Sequence, residues 1–166
     1  MYQLGHYGVA LVVYAPIGFG LLAFGLLDLA LLGGAVMVGG AMLPDVDIRV
    51  PFVKHRGMTH TIWFALAVGI GLGAVGGATG ANSSIGSAVA LGGFGFLLGT
   101  LTVGSHLLAD VLTPMGIRPF EPLRDDEYTL EVTPAANPVA NYLLLALGIG
   151  IAVLAFVAGQ AVAANL

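Results

Sequence analysis

Apolar positions dominate this chain in long runs, and the polar residues that interrupt them fall in a few short stretches. Between Tyr7 and Leu43 the only charged residue is Asp28. That run has room for two short membrane-crossing helices, since a span takes about 20 apolar residues. The pattern predicts a first helix over about 3–25, loosened near Pro16, then a turn around Asp28. A second helix is predicted over about 29–43, ended by Pro44. The stretch LPDVDIRVPFVKHRGMTHTIW (Leu43–Trp63) follows and reads as a loop. Thr59 is placed to cap a third helix over about 60–79. The run GATGANSSIGS (Gly77–Ser87) is turn-forming by its Gly, Asn and Ser content. A fourth helix is predicted over about 88–113, stopped by Pro114. A polar loop over about 114–136 precedes a last, plainly apolar helix over about 138–164. The expected fold class is all-α: one polytopic transmembrane helical bundle of about five spans, 1–166.

Composition supports the same class. The chain is 58% apolar and 8% charged, with a mean hydropathy of +0.98, far from the averages of soluble domains. There is no cysteine, which excludes thiolate chemistry, Cys-based zinc sites and disulfides. A net charge of -4, confined to loops, argues against a nucleic-acid partner; membrane lipid is the expected surrounding. No basic n-region precedes the first apolar run, so that segment is expected to be retained rather than cleaved as a signal. Glycine numbers 26, about twice the usual share. Gly69, Gly73 and Gly77, and likewise Gly95 and Gly99, fall four apart, a spacing that lets membrane helices approach closely.

Against this background the charge is gathered rather than scattered. Seven of the eighteen Asp, Glu, Lys, Arg and His side chains lie between Asp45 and His60. Five spans bring the N-terminus, the Leu43–Trp63 loop and the end of the fourth helix to one membrane face. His6, Asp45, Asp47, His55, His60, His106 and Asp110 therefore converge there, and they include all four histidines. All five Lys and Arg residues fall on that face too. By the positive-inside rule it is cytoplasmic, which gives an N-in, C-out topology in the cell membrane. Arg49 and Lys54 are indistinguishable here from ordinary topology anchors.

His106 and Asp110 are four apart and share one helical face. Ionisable residues inside a span are costly and usually face a partner or a cavity. Asp45 and Asp47 follow a proline, so both carboxylates can point to one side of an extended segment. Such a pair suits a divalent cation. Imidazole nitrogens with carboxylate oxygens form the donor set of Zn, Mn or Fe sites that keep a position for water. His55 and His60, five apart, do not share a helical face, so His55 is expected in the loop and His60 at the start of the third helix. Arg56 can act as an anion clamp or a topology anchor. Asp28 reads as a turn residue on the opposite face, and Asp125, Asp126 and Glu127 as a solvated loop.

Three blocks of the sequence then match a known pattern: Gly5-His6; LPDVD at 43–47 with HRGMTH at 55–60; and GSHLLADVLTPMGIRPFEP from Gly104 to Pro122. In their order and spacing they resemble the YdjM-like family of membrane-bound proteins grouped as metal-dependent hydrolases. The likeness covers about residues 5–122. It implies that His6, Asp45, Asp47, His55, His60, His106 and Asp110 occupy the family's polar motif positions. Arg49 stands where some members have a histidine.

The leading expectation is a metal-dependent hydrolase working at the membrane surface on a lipid or phosphoester. One or two divalent ions, Zn or Mn, would be held by His6, Asp45, Asp47, His60, His106 and Asp110. His55 would be a ligand or general acid/base, Arg56 an anion clamp, and Thr59 a cap or support. Two other classes remain open. One is a metal-ion or proton transporter, which needs polar groups at both depths of the membrane. The other is a helix bundle stapled by a metal with a closed coordination shell.

Overall fold

The computed structural model describes residues 1–49 and 55–166; Lys54 lies outside them, and of Arg49 only the backbone is described. Five helices are long and apolar enough to cross a membrane. They are α1 (Gln3–Ala23), α2 (Leu27–Gly40), α3 (Ile62–Ala81), α4 (Ile85–Val111) and α5 (Pro138–Ala163). Among the described residues the structure is otherwise two short 3-10 turns, loops and one isolated bridge between Ile117 and Tyr128. The all-α bundle read from the sequence is the fold of the protein.

Several boundaries move for identifiable reasons. α1 ends earlier than expected because Gly25 adopts φ +73. Its amide bonds back to the Leu22 carbonyl and that of Leu26 to Leu21, the Schellman arrangement for which glycine is suited. Asp28 is thus not the turn but sits in the first turn of α2, where a carboxylate favours the helix dipole. α3 is capped by Thr61 rather than Thr59: the Thr61 hydroxyl accepts from the Phe64 amide at 3.3 Å. Ser84 caps α4 through the Ser87 amide, so the turn between α3 and α4 is much shorter than Gly77–Ser87. Asn137 caps α5 by accepting from the amides of Val139 and Ala140, with Pro138 in the first turn.

α2 has 14 residues, about 21 Å at ~1.5 Å per residue, short of a hydrocarbon core of ~30 Å. The deficit is made up by a 3-10 turn, Pro44–Arg49, so that the apolar span runs Leu27–Ile48. This is the correction that matters for function. The segment expected to be an extended loop is helical, and it carries Asp45 and Asp47 on the end of a span. A second 3-10 turn, Met58–His60, leads into α3.

Glycine explains the packing. α3 and α4 form a tight antiparallel pair. A methyl group on Gly76 would strike the Leu91 carbonyl, one on Gly80 the Ser87 carbonyl, and one on Gly99 the backbone at Val68 and Gly69. α1 and α5 run parallel, with Gly8 set against Leu144 and Gly148, and Leu22 against Gly159. α2 crosses between α1 and α4, where Tyr14, Met37 and Leu98 form a buried cluster. Tyr14 donates its hydroxyl proton to the Ala30 carbonyl at 2.7 Å, which satisfies the one polar atom of that cluster. Gly40 lies directly on Thr102, and this contact brings the end of α2 against the side chains late in α4.

The glycine seams give a first prediction. Gly148→Ala places a methyl group on the Gly8 backbone, which cannot move aside, whereas Gly150 faces open space. Overpacking of this kind costs about 1–3 kcal/mol. Gly148→Ala is expected to lower the thermal unfolding midpoint of the detergent-purified protein by several degrees, and Gly150→Ala to leave it unchanged.

Candidate metal centre

Four elements deliver the polar residues to one place: the first turns of α1, the two 3-10 turns, and the last turns of α4. His6, Asp47, His60, His106 and Asp110 are almost completely buried. Asp45 is 15% exposed, so the cluster has one open side.

Four donor atoms converge. The Nε2 atoms of His60 and His106 are 3.2 Å apart. Asp45 Oδ1 lies 3.3 Å from the first and 3.4 Å from the second. Asp110 Oδ2 lies 3.5 Å from each. Hydrogen bonds behind the rings fix what these atoms are. His106 Nδ1 is 2.7 Å from the Ala41 carbonyl, which can only accept, so this nitrogen carries the proton. The Thr59 hydroxyl donates to Asp47 Oδ2 at 2.7 Å, leaving its oxygen to accept from His60 Nδ1 at 3.0 Å. With Nδ1 of each ring committed behind it, both rings turn Nε2 toward the centre, and the remaining two atoms are carboxylate oxygens.

Four acceptors crowded in a buried site repel one another unless a cation lies among them. A divalent ion satisfies all of them together. The spacing fits: bonds of about 2.0–2.1 Å to a tetrahedral ion imply donor separations of about 3.3–3.4 Å. His6 adds a fifth donor. Its ring stacks on His106 at 3.9 Å between centroids and 3° between planes. Neither of its nitrogens has a hydrogen-bond partner among the described residues, and one lies 3.7 Å from Asp110 Oδ1.

The remaining residues hold these donors in place. Asp47, expected as a ligand, stands behind His60 instead. In a 3-10 turn of three residues per turn, positions two apart diverge, so Asp45 faces the centre while Asp47 faces away. Its oxygens take up the Thr59 hydroxyl, the Arg56 amide at 3.1 Å and His55 Nδ1 at 2.9 Å, and Oδ2 lies 3.4 Å from His60 Nδ1. A carboxylate behind a ligating histidine orients the ring and strengthens it as a ligand. Arg56 turns through a left-handed backbone conformation, φ +59. Its guanidinium donates to Asp110 Oδ1 at 2.8 Å, the Gly116 carbonyl at 2.6 Å and Thr113 Oγ1 at 3.3 Å. Two of its three nitrogens are thus committed to the protein rather than free for an anion. The Met1 amine also donates to Asp110 Oδ1, at 2.7 Å, leaving Oδ2 for the centre. Of the three residues expected to be catalytic, only His55 is substantially exposed, at 42%.

Over residues 1–165 the sequence matches the family described as YdjM inner membrane protein. The chain belongs to that family. No curated protein and no solved structure matched it. Membership of the YdjM inner membrane protein family and five apolar helices together make this a multi-pass membrane protein. Within this YdjM member the residues missed by sequence reading are those that act through backbone or through distance. The Ala41 carbonyl fixes His106 but leaves no mark in a side-chain pattern. Asn141 of α5 accepts from the Tyr2 amide at 3.0 Å and donates to the carbonyls of Ala135 and Asn137, holding the segment before His6. A buried Asn in an otherwise apolar helix was the available signal. The loop between α4 and α5 folds back over the site, where Ile117 and Tyr128 exchange hydrogen bonds and the Ile62 amide donates to Pro119.

Removing the carboxylate behind His60 tests this arrangement. Asp47→Asn is expected to weaken zinc binding about 10–100-fold, as loss of such orienting groups does, while Asp125→Asn leaves it unchanged. Competition with a metallochromic chelator measures both.

Proposed function

We propose that the protein is a membrane-embedded, metal-dependent hydrolase whose substrate is a lipid or phosphoester reached at the membrane interface. The observation that carries this reading is the meeting of two imidazole nitrogens 3.2 Å apart with two carboxylate oxygens, each 3.3–3.5 Å from both nitrogens, with one side open at Asp45. His60, His106, Asp45 and Asp110 hold the ion, with His6 as a further donor, and the donor set suits Zn or Mn. When bound, such an ion supplies Lewis acidity and makes water nucleophilic near neutral pH.

The protein's own residues do the rest. Asp47 fixes His55 through Nδ1, which leaves Nε2 on the exposed edge of the ring to accept a proton from water and return it to the leaving group. Arg56 and Thr59 act by positioning: the first holds Asp110, the second holds Asp47. The site face lies in the cytoplasm by the positive-inside rule. A transport role lacks support, because the far halves of the spans carry no Asp, Glu, His, Lys or Arg besides Asp28. A metal staple has one specific point in its favour: four donors already complete a tetrahedral shell.

Elemental analysis of protein purified without chelator and supplied with Zn or Mn is expected to find one or two ions per chain. His106→Ala and Asp45→Ala are expected to lose most of it. Protein without metal after that treatment would remove the basis of the proposal. A screen of phosphoester, carboxylic ester and amide lipids then separates enzyme from staple. Hydrolysis should fall at least 100-fold in His106→Ala, an order of magnitude appropriate to loss of metal-assisted catalysis.

A further inference from the structure

A second polar feature lies beside the donor centre and shares His55 and Arg56 with its surroundings. A cavity of about 200 Å³ opens between the turn at His55 and Arg56 and the strand-like segment Met115–Arg118, with Glu127 on its far wall. Three of its lining residues, His55, Arg56 and Arg118, bear or can bear positive charge, against one carboxylate. The Arg56 guanidinium is anchored through its two terminal nitrogens, and its Nε is buried without a partner among the described residues. Arg118 is in the opposite condition. It is 43% exposed and, among the described residues, its side chain is held by one 3.3 Å contact with Glu127, a surface pair that contributes little and exchanges readily.

The cavity also has a definite place relative to the donors. A ring nitrogen of His55 lies within 4.8 Å of donor atoms of Asp45 and His60, so a ligand in the cavity has one end beside the centre. Met115 on its lining is apolar and 66% exposed. α3 begins at Ile62 and α4 ends at Val111, next to the lining segments, so on a membrane-spanning protein the cavity falls at headgroup depth. Arginine forks match phosphate oxygens in pairs.

We infer that this cavity binds the phosphate of the ligand, with Arg118 as an exchangeable clamp that leaves Glu127 for the phosphate oxygens. The inference rests on the hydrolase reading for the identity of the ligand as substrate, but phosphate binding here needs no turnover. Glu127 occupies the clamp when no anion is present. Arg118 is a specificity residue on this account, because it selects a phosphomonoester over a zwitterionic phosphodiester or a neutral ligand without touching the donor atoms.

Calorimetry on detergent-purified, zinc-supplied protein tests this with inorganic phosphate and glycerol 3-phosphate as soluble probes. Nanodiscs containing phosphatidic acid, with phosphatidylcholine discs as control, provide the lipid probe. Arg118→Ala is expected to weaken binding of the phosphate probes about tenfold or more, the scale of a charged hydrogen-bond pair. Glu127→Gln is expected to strengthen it, and Arg124→Ala to change it less than twofold, since Arg124 pairs with Asp126 away from the cavity. Zinc content should be the same in all three. Binding of both soluble and lipid probes, or of one, tells a free phosphoester from a lipid headgroup, and either result supports the site. Wild-type protein that binds neither, or Arg118→Ala that binds as tightly as wild type, overturns it. Protein that takes up no zinc when supplied with it, yet binds phosphate through Arg118, would keep the cavity and remove the hydrolase.

Discussion

The structure depends on four polar atoms gathered in a buried site, two imidazole nitrogens 3.2 Å apart and two carboxylate oxygens each 3.3–3.5 Å from both nitrogens. An apolar bundle has little reason to place lone pairs nose to nose, because each such contact is unfavourable at low dielectric. Everything around the cluster works to keep it in that arrangement. The Ala41 carbonyl turns one imidazole and the Asp47–Thr59 pair turns the other. Arg56 and the Met1 amine occupy the outer oxygen of Asp110 so that the inner one faces the centre. The surrounding hydrogen bonds therefore specify which nitrogen of each ring faces the centre as well as the ring's position.

The glycine seams belong to the same account. Helices kept apart by ordinary side chains would set the donors too far apart to act together. Gly40 against Thr102 lets the end of α2 reach α4, and Gly8 against Gly148 lets α5 support the start of α1. In lipid, where burying apolar surface gives helices little drive to associate, close backbone approach supplies the packing contact. The same small residues therefore serve both assembly and the geometry of the site.

Much of this was legible in the sequence. Hydropathy runs gave five spans, and counting crossings brought His6, Asp45, His60, His106 and Asp110 to one face, where they meet. The i, i+4 spacing of His106 and Asp110 correctly put both on one helical side. What could not be read was local conformation at the span ends. Pro44 was taken to begin a loop, but the segment coils into a 3-10 turn, and that difference separates Asp45 from Asp47. Thr59 and Thr61 are equally good caps by composition, and only the path of the chain assigns one to α3 and the other to Asp47. Arg56 looked like a free cation because its partners, Asp110, Thr113 and Gly116, lie more than fifty residues away in the sequence.

The pairing of α1 with α5 has a consequence for how the molecule is made. α1 enters the membrane carrying His6, yet the helix it packs against, α5, is made more than a hundred residues later. The contact between Tyr2 and Asn141 spans 139 positions of chain. Until α5 arrives, the start of α1 lacks the seam that holds it, and His6 has no fixed place beside His106. The five polar side chains of the cluster therefore come fully into place only once α5 has joined α1.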